Sequence, residues 1–100
     1  MMYLILSANV NSFLKNEFTF DFDIDELNLS SNLLEDIKGW HKQYLPIILM
    51  EDIERKKSSQ IIDELDKKGI FLAKMIAKTL DNGTKVKYFS EGKLVYLPVV

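Results

Sequence analysis

The chain has 100 residues, of which 47% are hydrophobic and 28% charged, with a net charge of −2 and no cysteine. This balance belongs to a globular protein rather than a disordered one, and a chain of this length without an internal repeat is expected to form one domain, residues 1–100. The lack of thiols excludes disulfides, thiolate nucleophiles and zinc–cysteine sites, and fits a reducing, cytoplasmic setting.

Tyr3 to Val10 is almost continuously apolar, which predicts a strand covered on both faces. No basic residue precedes it, as a secretory signal requires, and no apolar run approaches the roughly 20 residues of a membrane span. Asn9, Asn11, Ser12 and Asn16 supply turn chemistry. Phe18-Thr19-Phe20-Asp21-Phe22-Asp23 then alternates cleanly, with phenylalanines on one face and polar residues on the other. This predicts a second strand, antiparallel to the first.

Asn32 and Glu35 have the spacing of a capping box, with Ser30 and Ser31 as equal alternatives for the cap. Leu33, Ile37, Trp40 and Tyr44 follow at helical intervals, and Pro46 is expected to close the helix. Gly39 weakens such a helix by roughly 1 kcal/mol, which suggests that something packs close to its backbone. After an apolar stretch at Ile47–Met50 and a charged one at Glu51–Lys57, Ser58-Ser59 offers a second cap. Ile61, Leu65, Gly69, Leu72, Ile76 and Leu80 form a long helical stripe, thickened by Ile62, Ala73 and Ala77. Gly69 lies on its inward face, and Asn82-Gly83 is a stop signal.

Thr84–Ser90 and Lys93–Leu97 flank Glu91-Gly92 as a hairpin, with Pro98 marking an end or an edge. The fold class is therefore α+β, with element order β-β-α-α-β-β. The simplest packing is a four-stranded, mainly antiparallel sheet with two helices on one face. A place for the first strand beside the C-terminal hairpin is plausible, and the strand order stays open.

Charge is strongly segregated. Seven acids and no base lie between Glu17 and Asp36, whereas the bases gather at Arg55-Lys56-Lys57, Lys67-Lys68 and from Lys74 to Lys93. The overall acidity argues against direct nucleic-acid binding. Asp21, Asp23 and Asp25 resemble the opening of a calcium loop, but the sixth and twelfth positions hold Glu26 and Asn32 instead of glycine and glutamate. No metal or cofactor is expected. Taken singly, these aspartates read as a solvated strand face. Taken together, Asp21, Asp23, Asp25 and Glu26 repel one another, and a surface that keeps such repulsion suits a basic partner. Glu51, Asp52 and Glu54 form a second acidic cluster, diluted by the bases after it. These seven residues are the candidate partner-binding set.

His41, the only histidine, reads as a partly exposed helix residue rather than a general base, since nothing in sequence pairs it with an acid and a nucleophile. Trp40 and Tyr44 are common interface anchors, yet their spacing places them in the core first. No phosphate loop, dinucleotide fingerprint, nucleophile elbow or His–Glu metal motif is present.

Two stretches carry a resemblance. The first runs Leu29-Ser30, Leu33, Ile37, Trp40 and Tyr44. The second is Asp63-Glu64-Leu65-Asp66-Lys67-Lys68-Gly69-Ile70-Phe71-Leu72-Ala73, followed by Val86-Lys87-Tyr88-Phe89-Ser90. From Leu29 to Ser90 the chain resembles immunity proteins of contact-dependent growth inhibition, a class of polymorphic-toxin system. The resemblance implies a non-enzymatic protein that neutralises a cognate toxin domain in the cytoplasm of the producing cell. Toxins of such systems are often nucleases, whose basic clefts suit an acidic inhibitor, bound 1:1 by a monomer. The resemblance supplies no motif for the contact residues, so active-site occlusion and an exosite both stay open. Two alternatives remain: a small hydrolase or nuclease using His41, and a homo-oligomeric regulatory subunit pairing through an edge strand near Pro98.

Overall fold

The computed structural model describes residues 3–10, 12–17, 27–80 and 83–99. Seven elements follow in chain order: β1 (Tyr3–Leu6), β2 (Leu14–Asn16), α1 (Ser31–Ile48), α2 (Asp52–Lys57), α3 (Ser59–Leu80), β3 (Lys85–Ser90) and β4 (Val95–Leu97). The strands form one sheet in the order β2-β1-β3-β4. The first and last pairs are antiparallel, while β1 and β3 run parallel, Leu4 opposite Val86 and Leu6 opposite Tyr88. Parallel neighbours need a long connection, and the helical middle of the chain supplies it. The α+β class and the mainly antiparallel sheet stand, with a third, short helix added between the two long ones.

Alternation along the strands divides the sheet into two faces. Leu4, Leu6, Leu14 and Tyr88 turn to the helices and join the buried core with Leu33, Ile37, Trp40, Tyr44 and Ile47 of α1 and Ile62, Leu65, Leu72, Ala73 and Ile76 of α3. Lys15, Lys85, Lys87 and Tyr96 lie on the other face and are exposed. The two long helices thus cover one face only.

Several local expectations shift. β1 stops at Leu6 rather than Val10, because Asn9 N–H turns back to the Ser12 carbonyl at 2.9 Å and Ser7 N–H bonds Phe13 O at 3.0 Å. Asn16 ends β2 instead of forming a turn. The strand expected at Phe18–Asp23 lies outside the described residues. Of the three candidate caps, Ser30 is the one that closes the start of α1, its Oγ accepting from Leu33 N–H at 3.2 Å. Pro46 does not close that helix: proline removes one N–H but keeps a helical φ, and buried Ile47 holds the last turn in the core. The Glu51–Lys57 segment forms α2, acidic in its first turn and basic in its last, as the helix dipole favours.

The stripe of α3 starts at Ile62 rather than Ile61, which is exposed, and it includes a carboxylate, Asp66. Gly69 holds its expected inward place. A Cβ there would lie 2.6 Å from Tyr88 Cζ, so the ring occupies the room a side chain would need. Gly39, by contrast, has nothing within 4 Å of a built Cβ among the described residues, so no close packing there accounts for it. The hairpin is wider than expected: Glu91 to Leu94 connect the strands, and Leu94 has φ 57°.

Candidate functional site

The most organised polar cluster lies between α1, α3 and the β3–β4 connection. Asp66 is only 2% exposed, because its place on the α3 stripe sends it into the core beside β3. Its Oδ1 accepts from Tyr88 Oη at 2.6 Å and Tyr44 Oη at 3.0 Å, and its Oδ2 accepts from Ser90 Oγ at 2.8 Å. Lys93 Nζ stands 3.6 Å from Oδ2 and 2.6 Å from Asp63 Oδ1. A buried carboxylate is costly unless such donors surround it.

The network extends to the main chain. Gly92 N–H donates to Tyr44 Oη at 2.9 Å and Lys93 N–H donates to Ser90 Oγ at 3.1 Å, which fixes the β3–β4 connection. Gly92 must be glycine for this approach: a Cβ would meet Ile62 Cγ2 at 2.7 Å. Trp40 Nε1 donates to Leu65 O at 2.9 Å and ties α1 to α3. Burial, with the Asp66 charge adding to it, pushes the Tyr44 phenol up to about 12. Burial followed by the bond to Asp66 raises Tyr88 as well. The hydrogen bond to Asp63 raises Lys93. Both tyrosines therefore stay neutral donors at ordinary pH.

Arg55 performs a related task at the α1–α2 corner. Its guanidinium donates to the Ile47 and Ile48 carbonyls at 3.3 and 3.0 Å, and to Glu91 O at 3.1 Å. It caps the C-terminal end of α1 and anchors that corner to the hairpin. Between them lies a cavity of about 340 Å³ whose lining includes Asp52, Arg55, Lys56, Ile62, Gly92 and Leu94. All the donors described around Asp66 and Arg55 serve the fold. Among the described residues, no side-chain nitrogen or oxygen is buried without a partner, and no group of three or more His, Cys, Asp or Glu side chains is placed to hold a metal.

The candidate partner-binding residues divide. Asp21, Asp23, Asp25 and Glu26 lie outside the described residues. Glu51, Asp52 and Glu54 come together at the start of α2, all exposed, and no salt bridge among the described residues engages them. Beside them Leu49 is 78% and Ile53 68% exposed, which makes the corner both acidic and apolar. His41 Nε2 meets the Asn9 carbonyl, and its ring lies 5.4 Å from that of Phe13, so it fastens α1 to the β1–β2 connection. Sequence reading missed Asp66 and Arg55. A signal for Asp66 was available, since it falls four residues after Ile62 and three before Gly69, within the inward register.

No described helix is long and apolar enough to cross a membrane. The structure is that of a small α+β protein whose buried polar groups are consumed by its own packing, leaving its charged and apolar surfaces accessible. Residues 10–91 match the Serratia CdiI immunity protein-like family, and the chain belongs to that family of immunity proteins. Neither a curated protein nor a solved structure matches the chain. The motifs that carried the resemblance form one packed unit: Trp40 bonds Leu65, Tyr44 and Tyr88 bond Asp66, and Gly69 admits the Tyr88 ring.

Proposed function

We propose that the protein binds and neutralises a cognate toxin domain, a nuclease, in the cytoplasm of the cell that produces both. The family match over residues 10–91 carries this reading. A nucleic-acid-cleaving domain presents a cationic cleft, and the acids of this chain complement it: Asp21, Asp23, Asp25 and Glu26 in one segment, Glu51, Asp52 and Glu54 in another. Their carboxylates take the place of substrate phosphates. Long-range attraction speeds capture, while apolar area at Leu49 and Ile53 slows release. One chain binds one toxin domain, and the protein itself performs no chemistry. The engagement of His41 by Asn9 O supports that last point.

On this reading the gene beside this one encodes a large secreted protein, and the test uses the C-terminal domain of that protein. Its expression alone should arrest growth and degrade nucleic acid, and co-expression of this chain should restore both. Reversing Asp21, Asp23 and Asp25 to lysine should weaken the purified complex by about tenfold or more and flatten its salt dependence. Unchanged affinity across a salt series would remove the acidic segment from the interface. Intact nucleic acid in arrested cells would remove the nuclease.

A further inference from the structure

The apolar residues Leu94, Val95 and Tyr96 do not follow the rest of the sheet into the core. They are 59%, 46% and 56% exposed and lead from the hairpin connection into β4. Among the described residues β4 is an outermost strand, and one side of its backbone has no neighbour in the sheet. Proteins usually blunt such an edge with charge. The opposite edge does so, with Lys15 in β2 and Glu17 just beyond it. β4 contains no charged residue, and only its brevity and Pro98 restrain it.

Leu94 adds an independent sign. Its φ of 57° is a region that asparagine or glycine adopts at less cost than leucine. Leu94 N–H donates to Ser90 O at 2.7 Å, and the neighbouring amides are bound to Tyr44 and Ser90, so the surroundings impose this conformation. With most of the Leu94 side chain in water, its burial offsets little of this backbone cost in the isolated fold. Next to β4, Val86, Lys87, Tyr96, Leu97, Pro98 and Val99 line a cavity of about 460 Å³. Among the described residues the outer face of the sheet here is cationic, with Lys15, Lys85 and Lys87 exposed and Glu17 bound to Lys87 at 2.7 Å.

We propose that β4 is a docking edge, where an extended segment of a partner protein joins the sheet as an added strand. Its apolar side chains cover Leu94, Val95 and Tyr96, and a carboxylate on it faces Lys85. The assignment rests on the immunity reading, so the partner is the toxin domain. A second copy of the chain fits less well. Two three-residue strands fall well short of the ~1,200 Å² of a stable interface, and each copy brings its own lysines.

The probe is the same C-terminal toxin domain, titrated calorimetrically into the full-length protein. Tyr96→Asp should weaken binding by about 30-fold or more, as loss of an aromatic anchor does. Leu94→Asn separates docking from folding: it should raise Tm, because asparagine accepts the left-handed backbone, yet weaken binding about fivefold. Lys85→Glu should cost about threefold and reduce the salt dependence. Amides of Val95–Leu97 should gain hydrogen-exchange protection in the complex. A complex that forms with unchanged affinity for both Tyr96→Asp and Leu94→Asn overturns the docking edge and leaves the immunity reading intact. No complex with the unsubstituted chain overturns both. Self-association abolished by Tyr96→Asp gives the edge to a second copy and overturns the toxin segment.

Discussion

Asp66 and Tyr96 approach the same hairpin from opposite faces of the sheet and meet opposite surroundings. Asp66 is a charged group in the core, enclosed by two phenols, a serine hydroxyl and a lysine. Tyr96 is a large apolar side chain in water, resting edge-on against Phe89 at 5.0 Å. Each sits where simple partitioning would not put it, and the difference lies in what satisfies it. The carboxylate finds its donors within the chain, so its demand is closed and its work is to specify the fold. Among the described residues the exposed apolar run has no such closure, which makes it the place to look for another molecule.

Breaking the closed side should have the largest effect. Asp66→Ala strands the hydroxyls of Tyr44, Tyr88 and Ser90 and opens a void, and should cost about 3–5 kcal/mol in urea unfolding. That is a large share of the stability of a domain of this size. A cost below ~1 kcal/mol would show that the network does not organise the hairpin.

An alkaline titration sharpens the same point with a smaller effect. The Tyr44 phenol is raised to about 12 in the folded protein, against an ordinary value near 10 in the unfolded chain. Its contribution is fully present below pH ~10 and is lost as pH rises towards ~12, since only the unfolded state releases the proton in that window. The loss should reach about 2 kcal/mol, with Tyr88 acting in the same direction. Tyr44→Phe should remove its share of the slope, and a flat stability curve between pH 10 and 12 would contradict the burial of both phenols.

The smallest change falls away from both regions. Gly39 is exposed on α1 with open space around it, so Gly39→Ala should raise stability by up to ~1 kcal/mol in thermal unfolding. A destabilised variant would mark a backbone contact at that face.

Much of the architecture was legible residue by residue. The spacing of Leu33, Ile37, Trp40 and Tyr44 located the buried face of α1, and Gly69 was placed on the inward face of α3, because a helix repeats its environment every 3.6 residues. The limits of local patterns show at Pro46, where the burial of Ile47 carried the helix past the proline, and at the start of α1, where three candidate caps were legible and the hydroxyl of Ser30 took the place. Of the candidate contact residues, Glu51, Asp52 and Glu54 were found where their charge suggested, in the open. The corner that presents them was not legible, because Arg55 joins α1 to a hairpin 36 residues further along.

The sequence by itself determined the α+β class, the inward faces of both long helices and the segregation of charge. These depend on periodicity, composition and neighbours a few positions apart. Only the tertiary structure decided that β1 lies parallel to β3 and that Asp66 is enclosed, and it chose between the end and the edge that Pro98 had left open for β4. Those outcomes rest on contacts between distant segments, such as the bonds spanning 22 to 48 residues at Tyr44. A carboxylate on an apolar stripe reads the same in sequence whether its donors are present or absent. It is the folded chain that brings the donors to it.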